Sequence, residues 1–164
     1  MAETPADKEK AAIAEVLDAY RDVVHWKVDG LTRDEAVKRI VASETSLLGV
    51  VKHLVYVERY WFQVVLGGNA DAIPPWADAP GFDWHIEDDE SIADIVALYT
   101  AECARSRDVF DALESLDEEF PRREEMLTAR SILLHLIEEI ARHVGHMDII
   151  RELIDESTGW GPED

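Results

Sequence analysis

Residues 131–156 read SILLHLIEEIARHVGHMDIIRELIDE and have the apolar periodicity of one long amphipathic helix. One arc of this helix is apolar, at Leu133, Leu136, Ile137, Ile140, Val144 and Met147. At about 100° per residue, His143 lies about 60° and Glu139 about 100° from the centre of that arc. Because they are four residues apart, their side chains project over one spot, as two ligands of a single metal ion must. His146 lies further round the helix and is interpreted as a neighbour of such a site.

A third ligand must come from elsewhere, and His53 is the candidate. It lies in residues 46–62, SLLGVVKHLVYVERYWF, about 100° from the centre of that helix's apolar arc. The spacing leaves two alternatives open: a metal site where the two helices meet, or half-buried histidines that are merely hydrogen-bonded. His25, His85 and His135 have no second ligand at helical spacing and are interpreted as structural.

Composition and charge narrow the class of protein. With 164 residues and a formal net charge of −20, the chain is expected to form one soluble domain, 1–164. No basic run could neutralise phosphates, so no nucleic-acid partner is expected, and the acidity also disfavours binding to anionic membranes. No apolar stretch is long enough to span a membrane, and no signal peptide is visible. The single cysteine, Cys103, is predicted to be a buried inert thiol, and its being the only one fits a reducing cytoplasm.

The helical pattern predicts an all-α protein with four long helices and no strand. Residues 1–6 are expected to be a disordered tail. The long helices are predicted over about 7–28, 46–66, 91–116 and from about 128, with a short helix within 31–40. Three of the helix starts rest on capping residues, namely Thr32 with Glu35, one of Ser43, Thr45 and Ser46, and Ser91.

Residues 67–90 form the one long stretch without periodicity. A loop of this length is more often functional than a simple connector. Its aromatic residues, Trp76, Phe82 and Trp84, are expected to fold it back over the helices. Two charged residues, Glu58 and Arg151, fall within apolar arcs, and each is expected to find its own partner or to reach an end of the bundle rather than pair with the other.

Three stretches carry a family resemblance: HWKVDGLTRDEAV (25–37), TSLLGVVKHLVYVERYWF (45–62) and EEIARHVGHMDIIRE (138–152). They resemble the DinB-like superfamily, in particular its actinobacterial mycothiol-dependent branch. The resemblance implies a four-helix bundle in up-down-down-up order with a divalent metal near one end. Many members use three histidines, but Glu139 stands at the first position of the usual His-x-x-x-His pair, as in the maleylpyruvate isomerase branch. The implied ligands are His53, Glu139 and His143.

The function implied by the resemblance is that of a metal-dependent enzyme. It would be a mycothiol-type S-transferase or an isomerase acting on a small electrophile. Zinc is the expected ion, with nickel, manganese and iron(II) as alternatives, because the ligand set does not distinguish them. Candidate substrate-binding residues are Arg59, Trp61, Trp76 and Trp84, although core or loop-anchoring roles are favoured for the tryptophans. The alternatives are a non-catalytic metal-binding stress-response protein that acts through partner contacts or as a homodimer, and a purely structural bundle without metal.

Overall fold

The computed structural model describes residues 4–76 and 78–161, and most of these residues are helical. The elements in chain order are α1 (Pro5–Trp26), α2 (Arg33–Ala36), α3 (Leu47–Glu58), a π-helical segment (Arg59–Leu66), a 3-10 turn (Ala70–Ala72), α4 (Ile92–Ala112), β1 (Glu119–Arg122), β2 (Glu125–Thr128) and α5 (Ala129–Asp155). The all-α prediction is therefore confirmed at the level of fold class. The π-helical segment continues α3 directly, so the two together form one long rod.

Predicted capping residues begin three of the five α-helices, α2, α3 and α4. The Thr32 and Glu35 side chains cap α2 reciprocally, and Ser46, Ser91 and Thr128 each accept a backbone N–H of α3, α4 or α5. The predicted C-terminal ends were less accurate, since α1 ends at Trp26 and α4 at Ala112.

The N-terminal tail was predicted too long. Thr4 caps α1 in a reciprocal pair with Asp7, and Pro5 occupies the first turn, where its missing N–H costs nothing. Residues 4–6 thus belong to the cap and first turn of α1. The remainder of the predicted tail, residues 1–3, lies outside the described residues.

The prediction that the chain contains no strand was wrong at one place. β1 and β2 pair antiparallel around a two-residue turn in which Arg123 has a φ of +57°. Each strand contributes only one apolar side chain to the core, Phe120 and Leu127, and these two are paired directly. A strand of four residues with one partly buried apolar side chain has no period-two pattern, so this hairpin has no signal in the sequence.

The core lies where α3 packs against α4 and α5, with α1 closing on α5. Leu17, Leu54, Phe62, Tyr99 and Leu136, drawn from all the long helices, are fully or almost fully buried. Within the described ranges, no helix has both the length and the apolarity needed to cross a membrane.

The two charged residues predicted within apolar arcs do find separate partners. Glu58 accepts two hydrogen bonds from the Arg21 guanidinium, both 2.8 Å long. Arg151 pairs with Asp155 and donates to the carbonyl oxygens of Lys27 and Asp29 at 3.2 and 3.0 Å. Both charges are thereby compensated where they are buried, and they do not pair with each other.

Candidate metal centre

Helices α3 and α5 bring His53, Glu139 and His143 together. One ligand atom from each residue lies within 4.8 Å of the other two. Oε1 of Glu139 is 3.1 Å from Nε2 of His143 and 3.7 Å from Nε2 of His53. A tetrahedral ion with bonds of about 2.1 Å separates its ligand atoms by roughly 3.4 Å. The three residues therefore fit a divalent ion after side-chain adjustments of a few tenths of an ångström to about an ångström.

The site is sheltered on one side and accessible on the other. The side chain of His143 is 8% exposed, whereas those of His53 and Glu139 are 15% and 21% exposed. Burial disfavours the ionised form of Glu139, but the adjacent imidazoles of His143 and His53 outweigh this and lower the pKa of its carboxyl group. Burial, together with the neighbouring His53, lowers the pKa of His143. At neutral pH the site therefore offers a carboxylate and an uncharged imidazole at His143, the forms in which these groups bind a metal.

Asp83 is a site residue that the sequence did not predict. Its side chain is buried, with 3% of the residue exposed, and its Oδ2 lies 2.7 Å from Nδ1 of His53. It comes from the loop that precedes α4, where it is one of many acidic residues and has no periodicity to single it out. Only the fold of the loop shows that this carboxylate contacts a candidate ligand.

The loop folds back along α3 and its π-helical extension, as its aromatic residues predict. The Trp84 indole stacks on the His53 imidazole at 4.2 Å, and Phe82 packs edge-on against Tyr56 at 4.6 Å. Trp76 makes a similar contact with Tyr60 at 5.3 Å. The loop therefore runs antiparallel to α3.

Trp84 is the predicted substrate-binding residue that lies against the ligand set. Besides stacking on His53, its ring centroid is 5.5 Å from that of His143. His146 is exposed, and its ring meets the His143 ring edge-on at 5.6 Å, so it borders the cluster without being part of it.

The other predicted recognition residues have partners of their own. Arg59 donates to the buried carboxylate of Glu102, with a 3.0 Å bond from its Nε. Trp61 is buried and packs against His135 at 4.8 Å. Trp76 anchors the loop through Tyr60. These contacts fit the anchoring roles favoured for the tryptophans, and they give Arg59 an ion pair.

The remaining histidines and the cysteine lie outside the ligand set. His25 packs against Tyr99, and His85 is exposed on the loop. Cys103 is buried, and its burial, with the nearby Glu58 carboxylate, raises the pKa of the thiol to about 12. An ordinary thiol has a pKa near 8.5, so Cys103 is an inert thiol, as predicted.

The fold and the cluster together describe a helical protein with a candidate His/Glu/His metal site between two helices. The mycothiol-S-transferase family model matches residues 12–156, a range that includes all three candidate ligands. The chain belongs to the mycothiol-S-transferase family, which confirms the branch of the DinB-like superfamily that the sequence resembles. No curated protein matches the chain.

Proposed function

We propose that this protein is a metal-dependent mycothiol-S-transferase that joins mycothiol, through its sulfur, to a small electrophilic molecule with loss of the thiol proton and of the acceptor's leaving group. An isomerisation assisted by the same thiol is the related alternative. The observation that carries the proposal is the convergence of His53, Glu139 and His143, whose ligand atoms lie within 4.8 Å of one another. Family membership supports it independently, because the matching family is a transferase of mycothiol.

The proposal includes the architecture that the superfamily resemblance implies. We take α1, α3 with its π-helical extension, α4 and α5 as the four helices of an up-down-down-up bundle in a single domain. The observed packing of α3 on α4 and α5, and of α1 on α5, supports this. We place the protein in the cytoplasm, on the basis of its one buried thiol.

The ligand set supports a catalytic site rather than a closed structural one. Two imidazoles and one carboxylate leave coordination positions free, whereas structural zinc sites are filled by four protein ligands. Zinc suits this set, and nickel, manganese and iron(II) are also compatible with it. When bound, such an ion lowers the pKa of a thiol at its free positions and so supplies a nucleophile at neutral pH.

The residues of this chain would bind the metal ion and shelter the site, and the nucleophilic sulfur would come from an external thiol. The Cys103 thiol is buried and has a pKa of about 12, so it cannot serve as the nucleophile near neutrality. His53 and Glu139 are partly exposed, which gives an external thiol access to the ligand set. Trp84 covers one face of the His53 ring and restricts the entry of water on that side.

Metal binding is tested by elemental analysis of protein purified in the presence of zinc. We expect about one ion per chain in the wild type and in His85→Ala, an exposed histidine that serves as the matched control. His53→Ala and His143→Ala should each lose most of it. Unchanged metal content in both ligand variants would overturn the assignment.

Transfer is tested separately. Zinc-loaded protein is incubated with mycothiol and an electrophilic acceptor such as monochlorobimane, and the conjugate is quantified by mass spectrometry. We expect conjugate to form faster than with the same concentration of free zinc. A rate no higher than that control, in protein that does hold one zinc, would favour the non-catalytic metal-binding alternative.

A further inference from the structure

Residues 81–90 form a strap that lies along α3 and brings Asp83 to His53 in the middle of that helix. The Asp83 carboxylate is buried and lies 2.7 Å from Nδ1 of His53. No comparable partner is present for His143, whose Nδ1 is buried without a hydrogen bond among the described residues. The two candidate histidine ligands thus differ at Nδ1, which meets a carboxylate in His53 and has no hydrogen bond in His143.

The chemistry of this contact fixes the tautomer of His53. An ionised carboxylate can only accept a hydrogen bond, so the proton of the neutral imidazole must reside on Nδ1. Nε2 then carries the lone pair, and it is the atom that faces Glu139 at 3.7 Å. The Asp83 contact therefore directs the correct nitrogen of His53 toward the other two ligands.

Contacts at several points hold the strap on the helices. A Cβ atom added at Gly49 would lie 2.8 Å from the carbonyl oxygen of Trp84, so a glycine on α3 is needed for this close approach. The Lys52 ammonium donates to the His85 carbonyl oxygen at 2.7 Å and pairs with the Glu90 carboxylate at 2.7 Å.

Arg33, next to the cap of α2, adds a further anchor. Its guanidinium donates to the carbonyl oxygens of Glu87 and Glu90 at 2.8 and 3.1 Å. The strap is thus held on both sides of its exposed residues Asp88 and Asp89. Asp83 and Trp84 are therefore positioned by contacts to the strap backbone as well as by their own side chains.

We infer that Asp83 is a positioning residue for the metal centre. The contacts that hold the strap on α3 keep Asp83 in place, and they therefore contribute to metal affinity. The inference rests on the proposed function in one respect, that His53 is a ligand. Carboxylates that orient metal-binding imidazoles typically contribute 10- to 100-fold to affinity. A purely structural role for the Asp83–His53 contact would change stability but neither the tautomer nor the affinity.

The first experiment measures the tautomer in metal-free protein. Long-range ¹H–¹⁵N correlation spectra distinguish the two neutral forms of a histidine by their nitrogen shifts. We expect His53 to be the Nδ1–H form in the wild type and in Asp88→Ala, an exposed acidic residue of the same strap. Asp83→Ala should show a mixture or the Nε2–H form. An unchanged His53 spectrum in Asp83→Ala would overturn the inference.

The second experiment measures zinc affinity by competition with a chromophoric chelator. We expect Asp83→Ala to bind roughly 10- to 100-fold more weakly than wild type, and Asp88→Ala to bind as wild type does. Asp83→Asn keeps an acceptor oxygen at the same place, so it folds in the same geometry and should recover part of the loss. Lys52→Met removes an ammonium that is bonded to the strap at His85 and Glu90, and it should weaken binding several-fold by releasing the strap.

The outcomes separate this inference from the proposed function. Wild-type zinc binding with undiminished affinity in Asp83→Ala overturns the positioning role alone; should the alanine variant not fold, undiminished affinity in Asp83→Leu, which also removes the acceptor oxygens, does so. Wild-type protein that binds no zinc overturns the metal site, and the inference with it. Zinc binding that depends on Asp83, in protein without transferase activity, supports the inference and overturns only the proposed reaction.

Discussion

Two polar clusters are built on α3 only five residues apart, and they are organised in opposite ways. Glu58 is completely buried, and each of its carboxylate oxygens accepts a hydrogen bond from the Arg21 guanidinium, which is itself 4% exposed. His53 and Glu139 remain partly exposed and offer lone pairs to a shared point. In the first, or closed, cluster the charges of Glu58 and Arg21 balance each other. In the second, or open, cluster, His53, Glu139 and His143 have ligand atoms that face one another. A buried polar group is thus no sign of a binding site unless its partners leave some of its capacity unused.

The largest expected effect concerns the chemical reactivity of Cys103, whose thiol lies near the Glu58 carboxylate of the closed cluster. With the pKa of its thiol raised to about 12, its thiolate fraction near neutral pH falls on the order of a thousandfold below that of an ordinary thiol. Labelling by a thiol-specific disulfide reagent should therefore be very slow in the folded protein and fast in urea. Rapid labelling of folded protein would show that this cluster opens, and the need for an external thiol would lose its support.

The next contrast concerns stability. Glu58→Ala leaves the buried Arg21 guanidinium with only its 2.9 Å ion pair to the partly exposed Asp18, and we expect it to lower the free energy of unfolding by about 3 kcal/mol. Replacing both residues, as Arg21→Met with Glu58→Leu, should recover most of this, because the buried charge is removed along with its partner. Urea denaturation checks both variants. If Glu58→Ala were as stable as wild type, the closed cluster would have no energetic role.

A smaller effect is expected where the strap touches α3. Gly49→Ala introduces a Cβ atom 2.8 Å from a backbone oxygen, so the strap must shift, at a cost of roughly 1–3 kcal/mol. Because Asp83 and Trp84 move with the strap, zinc affinity should fall by about tenfold. Thermal denaturation and chelator competition measure the two effects. Wild-type zinc affinity in this variant would show that the open cluster is independent of the strap.

The smallest effect is that of the matched glycine on α5. A Cβ atom at Gly145 meets no atom within 4 Å, so Gly145→Ala removes only the flexibility of the unfolded chain and should stabilise the helix by about 0.5–1 kcal/mol. Zinc affinity should stay at the wild-type value, although residue 145 lies between His143 and His146. A marked loss of affinity here would mean that helix stiffness, rather than strap position, controls the site.

Two kinds of structural feature could be predicted from the sequence: helices with a periodic apolar pattern, and helix starts marked by a capping side chain. Periodic apolar residues predicted the long helices, and side-chain oxygens such as that of Ser91 predicted where they start. Helical spacing paired Glu139 with His143 and made His53 the candidate third ligand, and the family resemblance implied the three as one set. These three are the residues that the structure brings together.

The features that sequence reasoning missed all depend on contacts between distant parts of the chain. Asp83 becomes a partner of His53 only because a loop folds back over α3, and Arg21 is chosen by Glu58 across 37 positions. The β-hairpin depends on backbone pairing with one apolar side chain per strand. None of these contacts leaves a pattern in the local sequence. They form because of how the helices pack together, and local sequence does not determine that packing.

The stacking of Trp84 on His53 should make tryptophan fluorescence sensitive to the state of the candidate metal site. The two rings are 4.2 Å apart and inclined by only 19°, so the indole is in direct electronic contact with the imidazole. A cation or a proton on that imidazole withdraws electron density from it and alters its ability to quench the excited indole. Zinc titration should therefore change the tryptophan emission of the wild type, and Trp84→Phe should abolish that change while leaving the other four tryptophans in place.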